Sequence, residues 1–268
     1  MSATKKVIKI LFIGDIVGRP GRRAVEHFIP IIKEEESIDF IFANGENIAA
    51  GVGMTLDKYQ EGRAIGIDYF TSGNHIWHKE EFIPFLDRDD INVLRPINYP
   101  ATAPGKGYAR IPVGKKHILL VNAIGRVFMK DEVEDPFVAL DNLINHYSND
   151  IPIIDFHAEA TSEKIALGFY LDGKATALFG THTHVQTADD RLLPNGTAYV
   201  TDVGMCGPIN SVLGIKKEII IEKFLTQLPK SHKVASGESI FNAILVEINT
   251  ESGRAQSLKR ISRVYRPS

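Results

Sequence analysis

The chain alternates short, nearly unbroken apolar runs with longer stretches whose apolar residues recur every three or four positions. "IKILFIG" (8–14), "FIFA" (40–43) and "DYFTS" (68–72) read as strands, as do "IPIIDF" (151–156), "ATALFG" (175–180) and "TAYVTD" (197–202). Such runs, bounded by Gly, Asn and Asp, are expected of strands buried on both faces. Val25, Phe28, Ile29 and Ile32 carry a helical period that predicts a helix over about 22–35. Thr55 predicts the N-cap of a second helix reaching about residue 65, and further helices are expected near 80–86, 137–147 and 162–171. Residues 107–112 and 117–122 flank Gly114 and two lysines, too little chain for a crossover, so they predict an antiparallel pair. Two late strands are expected near 240–248 and 256–265. The alternation of strand and helix predicts an α/β fold with mixed sheets and helices outside. No repeat, low-complexity tract or Pro/Ser-rich linker breaks the pattern, and residues 1–268 are expected to form a single domain.

Composition narrows the function more than the fold. Of 268 residues, 44% are hydrophobic, enough for a large core. The net charge of −2 lacks the basic balance of a general nucleic-acid binder, so no stable nucleic-acid partner is expected. One cysteine, Cys206, excludes an internal disulfide and suits a reducing cytoplasm, where the chain is expected to reside. "KKVIKILFIG" places lysines before an apolar run as a signal peptide does. The run is short, is interrupted by Lys9 and lacks a small-x-small cleavage site, so it reads as a strand. Nothing approaches the ~20 apolar residues of a membrane span, and no membrane partner is expected.

The chemistry lies where the apolar runs end. In open α/β sheets, ligand-binding groups collect just past the carboxyl ends of the strands. The first strand is followed by Asp15 in "GDIVG", the second by Glu46 and Asn47 in "NGEN", and the third by Asn74 and His75 in "GNH". "IPIIDF" is followed by His157, and "ATALFG" by His182 and His184 in "THTH". Taken singly, His157 is a structural histidine, Asp15 and Asn47 turn formers, and Glu46 a surface carboxylate. Taken together they are a ligand set. His182 and His184, two apart in extended chain, would point to one side. Two carboxylates, three imidazoles and one or two amides exceed a four-coordinate structural zinc and suit two first-row divalent ions sharing a carboxylate.

Other residues carry weaker signals. His78, Trp77 and Arg126 are candidates for lining a substrate cleft, although a lone Trp is equally a core residue. His27, His117, His146 and His232 are expected to be structural, and "KEEE" (33–36) a solvated helix end. Cys206 reads as a buried thiol, since no partner base is evident.

The order "GD", carboxylate, "GNH", lone His, "GTHTH" resembles the calcineurin-like metallophosphoesterases. "LFIGDIVGRPGR", "NGENIAAGVGMT", "DFHAEATSEK" and "GTHTHVQTAD" are similar to the bacterial YmdB-like subgroup over nearly the whole chain. The resemblance implies a four-layer αββα sandwich and a phosphodiesterase acting on small cyclic nucleotides such as 2′,3′-cyclic AMP. It implies that Asp15, Glu46, Asn47 and His184 hold one divalent ion and Glu46, Asn74, His157 and His182 the other. Iron or manganese is expected, with magnesium or zinc as alternatives. The chain departs from the wider superfamily at Asp15-Ile16-Val17, where Asp-x-His is usual, and at Glu46, where the bridging residue is usually Asp. Both departures resemble the subgroup.

Hydroxide bridging two ions would attack phosphorus in line while His75, the catalytic candidate, protonates the departing ribose oxygen. Ions, carboxylates and hydroxide together leave about one net positive charge, which a diester monoanion neutralises. Two other readings remain open. One is a phosphomonoesterase or 5′-nucleotidase, the other a regulatory RNA-associated protein with incidental hydrolysis. No substrate-binding residue is assigned, and although homo-oligomers are common among such enzymes, no interface pattern is legible.

Overall fold

In the computed structural model, which describes residues 5–267, the chain runs through two facing sheets. The elements are β1 (Val7–Ile13), β2 (Asp15–Ile16), α1 (Gly18–Glu36), β3 (Phe40–Asn44), α2 (Leu56–Ile65) and β4 (Tyr69–Thr71). They continue with β5 (Tyr108–Val113), β6 (Lys116–Ile124), α3 (Pro136–His146), β7 (Ile151–His157), α4 (Thr161–Tyr170) and β8 (Ala177–Thr181). Last come β9 (Arg191–Leu192), β10 (Ala198–Val200), β11 (Met205–Pro208), α5 (Lys217–Thr226), β12 (Ser239–Asn249) and β13 (Ala255–Tyr265).

One sheet has the order β2-β11-β12-β1-β3-β4, with β13 paired to β12, and the other β5-β6-β7-β8-β10-β9. β1, β3 and β4 run parallel, as do β6, β7, β8 and β10. The antiparallel partners are β12 beside β1 and the expected hairpin β5–β6. Both sheets are therefore mixed.

Alternation along the strands builds the layers. Ile8, Ile10 and Phe12 of β1 point between the sheets and meet Ile118, Leu120, Ile153 and Phe179. The Phe12 and Phe179 rings lie 5.4 Å apart there. Leu11 and Ile13 point the other way, onto Val25, Phe28, Ile29 and Ile32 of α1. Leu119, Val121, Ile154 and Phe156 likewise pack under Leu140 and Ile144 of α3 and Leu167 of α4. The result is the αββα order. Every side chain of β7 is buried, which is why its sequence shows no polar alternation.

The elements differ from expectation in a few places. α1 starts at Gly18, ahead of its apolar period, because Pro20 lies in the first turn, where a helix needs no N–H donor. The helix expected near 80–86 is a 3₁₀ helix, Glu80–Phe85, which Pro84 keeps from the α form. Thr55 caps α2 as expected, its hydroxyl accepting from the Lys58 N–H at 3.4 Å. The two-residue strands β2 and β9, the short β11 and the helix α5 lie outside the sequence expectation, since segments so brief or so evenly apolar carry little periodicity. Among the described residues no helix is long and apolar enough to cross a membrane.

Phe12 is fully buried where the sheets meet. Phe12→Ala should cost about 3–5 kcal/mol. Urea unfolding should show a lower midpoint at an unchanged slope.

Candidate metal centre

The ends of the parallel strands bring the expected residues together. Asp15 opens β2, Glu46 and Asn47 lie in the turn after β3, and Asn74 and His75 follow β4. His157 ends β7, while His182 and His184 follow β8. One oxygen of Glu46, Oε2, lies 3.2 Å from His157 Nε2. The other, Oε1, accepts from the Asn47 amide at 3.0 Å. His157 Nε2 also lies 3.0 Å from His182 Nδ1 and 3.2 Å from Asn74 Oδ1. On the other side of Glu46, His184 Nε2 is 3.8 Å from Asp15 Oδ1 and 3.2 Å from the Asn47 amide nitrogen. Glu46 thus stands between two groups of donors, with one oxygen toward each.

The His-x-His geometry needs correcting. Both histidines are left-handed, His182 at φ 99° and His184 at φ 66°, so no extended two-residue period aligns them. A bent loop does so instead. Asp202, fully buried, accepts from the Thr183 N–H at 3.0 Å and its hydroxyl at 2.7 Å. Lys164, also fully buried, donates to the Thr181 carbonyl and to Asp202, both at 2.7 Å. These bonds offset backbone strain of about 1–3 kcal/mol per residue.

Each of the three imidazoles spends one nitrogen on the protein. Thr181 gives its hydroxyl proton to Asp155 at 2.7 Å, so at 2.9 Å its oxygen accepts from His157 Nδ1. His184 Nδ1 donates to the Leu213 carbonyl at 3.1 Å, and His182 Nε2 faces the Glu159 carboxylate at 3.1 Å. The remaining nitrogens, His157 Nε2, His182 Nδ1 and His184 Nε2, point toward Glu46 and Asp15. Backing partners of this kind orient imidazole for metal. Glu46, His157 and His182 each offer an atom within 4.8 Å of the others.

The charges point the same way. Burial, opposed by His157 and reinforced by Asp202 and Glu46, pushes the Asp15 carboxyl well above its ordinary range. Asp15 Oδ1 is buried with no hydrogen-bond partner among the described residues. Burial also opposes a charged Glu46, but His157 and His75 outweigh it and hold that carboxyl well below the usual range. His157 is raised to about 9, the carboxylates overcoming its burial, while burial and the charge of His157 drive His182 down to about 3. The surroundings favour positive charge between Glu46 and His157. At Gly73 a Cβ would overlap His157 Nε2 and Glu46 Oε2, so only glycine lets these two groups lie together against the backbone there. An orphaned carboxylate oxygen and imidazole nitrogens gathered with carboxylates fit divalent ions.

Asn47 is placed differently from the others. Its amide nitrogen, not its oxygen, faces Glu46 and His184, and its oxygen accepts from His75 Nδ1 at 2.7 Å. To ligate an ion through oxygen the amide must turn over. The His75 backbone N–H also donates to Glu46 Oε2 at 3.2 Å. His75 lines a cleft of about 390 Å³ with Asn74, His78, His182, Phe128 and Lys130. His78 lines it as expected, but Trp77 and Arg126 do not. Trp77 packs edge-on against Tyr99 with centroids 5.4 Å apart, and the Arg126 guanidinium pairs with Asp135 at 2.5 Å.

Sequence reading missed the supporting residues Asn44, Asp155, Glu159, Lys164, Thr181 and Asp202. Asn44 and Asp155 had a signal, since each is a polar residue inside an apolar strand. Lys164 had none, because on a helix it reads as solvent-facing.

A profile of the YmdB-like protein family matches residues 11–261. The chain belongs to the YmdB-like family. The 2′,3′-cyclic-nucleotide 2′-phosphodiesterase of Bacillus subtilis (strain 168) is 45% identical over 256 residues, covering 95% of this chain and 96% of that protein. A crystal structure of a novel phosphatase from Mycoplasma pneumoniae superposes with a TM-score of 0.92 at 32% identity, over 98% of this chain and 95% of that one. A hypothetical protein from Thermus thermophilus does so with a TM-score of 0.90 at 41% identity, over 97% and 100%. This YmdB-like chain therefore has the metallophosphoesterase sandwich, and its family implies divalent metal.

Lys164→Met would leave Asp202 buried and unpaired. It should cost about 3–5 kcal/mol, measured by denaturant unfolding. A loss below about 1 kcal/mol would show that the pair does not hold the loop.

Proposed function

We propose that the chain is a metal-dependent phosphodiesterase that opens small cyclic phosphodiesters, the 2′,3′-cyclic nucleotides for which its Bacillus subtilis relative is named. The observation that carries this reading is the convergence of one nitrogen from each of three imidazoles on two buried carboxylates, Glu46 and Asp15. Asp15, Glu46, Asn47 and His184 would hold one ion, and Glu46, Asn74, His157 and His182 the other. Iron or manganese suits this mixture of imidazole, carboxylate and amide. When bound, the ions supply positive charge to the phosphoryl oxygens and lower the pKa of water into the neutral range.

The chain's own residues do the rest. Thr181, the Leu213 carbonyl and Glu159 hold the imidazoles in place, and Glu46 offers one oxygen to each set. Turning the Asn47 amide over to ligate through oxygen releases His75 Nδ1, and His75 Nε2 has no hydrogen-bond partner among the described residues. A proton on Nε2 passes to the departing ribose oxygen, and the cleft readmits water to replace it. Glu46 Oε1 lies 3.2 Å from Nδ1. The bacterial relatives and the single buried thiol support action in the cytoplasm.

Metal analysis and thermal unfolding with added Mn²⁺ test this reading. The wild-type protein should bind divalent ion and gain about 2.7 kcal/mol at an ion concentration a hundredfold above Kd. Glu46→Gln should lose both the ion and the gain. His75→Ala should keep both while turnover falls by about 10²–10⁴-fold. Hydrolysis of bis-p-nitrophenyl phosphate should exceed that of the monoester. A wild-type protein that neither binds nor is stabilised by divalent ions would overturn the proposal.

A further inference from the structure

The mouth of the cleft carries a feature that neither the ion sets nor the acid uses. Phe128 is 84% exposed and sits at φ 63°, a left-handed conformation that bulky residues avoid. Burial would be the ordinary fate of a phenyl ring, and a surface turn would ordinarily put Gly or Asn at that φ. The loop that presents it is anchored on both sides. Gly125 donates to the carbonyl of His157 at 3.0 Å, which ties the loop to the donor set itself. The next two backbone N–H groups, of Arg126 and Val127, donate to the buried carboxylate of Glu163 at 2.9 and 3.2 Å. Beyond the ring, Met129 packs on the core, and Asp131 accepts from the Tyr99 hydroxyl at 2.8 Å. An exposed His78 stands edge-on to His75 at 4.8 Å, so the cleft beside the ring is already lined by flat side chains.

We propose that Phe128 is a specificity-determining residue, a platform on which the base of the substrate stacks while its phosphate lies at the Asn74 and His182 end of the cleft. This inference rests on the phosphodiesterase reading above. A ring held out on pinned backbone loses little freedom on contact, and stacking accepts any base because each has a π face. The cleft, about 390 Å³, lies in the range of small-ligand sites. Phe128 should therefore distinguish nucleotides from base-free cyclic phosphates without distinguishing strongly among bases.

The test compares adenosine 2′,3′-cyclic phosphate with ribose 2′,3′-cyclic phosphate, its analogue lacking the base, for wild-type protein, Phe128→Ala and Phe128→Trp. The ratio of kcat/KM for the two esters should fall by about 5–150-fold in Phe128→Ala, mainly through KM, the range expected for loss of one stacked base. Phe128→Trp should keep the ratio or raise it. Thermal unfolding of both variants should match wild type, because the ring is exposed. An unchanged ratio in a folded Phe128→Ala protein would overturn the proposal. If the wild-type protein cleaves neither ester, the phosphodiesterase reading has failed, and the platform is then judged by calorimetric binding. Adenosine 3′-phosphate should bind more tightly than ribose 3-phosphate to wild type but not to Phe128→Ala, and equal affinities for wild type would overturn it.

Discussion

Asp155, fully buried on β7, accepts hydrogen bonds from Thr71 of β4 at 2.5 Å and Asn44 of β3 at 3.0 Å in one sheet, and from Thr181 of β8 at 2.7 Å in the other. Apolar contact between two sheets is non-directional and would tolerate sliding. A buried carboxylate does not tolerate it, because any slip that removes a donor leaves charge unpaired in a low-dielectric interior. Asn122 adds a second tie, its amide exchanging bonds with the backbone of Ser72 at 3.0 Å. The polar layer fixes the register of the sheets, and that register decides whether Glu46 meets His157. Through Thr181 it also sets which nitrogen of His157 faces Glu46.

Most of the donor set could be read from the chain because its residues are polar types at the ends of apolar runs. Asp15, Glu46, Asn74, His157, His182 and His184 all converge as that position implies. An extended period does not explain the His182–His184 pair, since backbone dihedrals beyond a strand end are not written in a two-residue spacing. Asn47 was legible as a residue but not as an orientation. Which way an amide turns depends on His75 and His184, neither of which is near it in sequence. Trp77 and Arg126 show the converse problem, for proximity to a motif does not say which way a side chain points. Asn44 and Asp155 interrupt "FIFAN" and "IPIIDF" visibly, yet a single sequence cannot name the partners that make such interruptions stable.

The loops around the centre break several local rules at once. His182 and His184 occupy φ values that favour glycine, two buried carboxylates stand side by side, and Lys164 is entombed without solvent. In α2 with its Thr55 cap and in β1 with its alternating faces, propensity, pattern and burial agree. Conflicts gathered around one set of donors are the usual mark of a functional site.

His184 is oriented by the carbonyl of Leu213, while Asp15, its partner across the centre, lies near the other end of the chain. A ribosome must therefore complete most of this polypeptide before the last imidazole can take its orientation. Early segments offer only scattered carboxylates and amides, which bind cations weakly and without selectivity. Ion capture is thus a late event in the life of the molecule, and a cation held tightly there reports that both sheets have already docked.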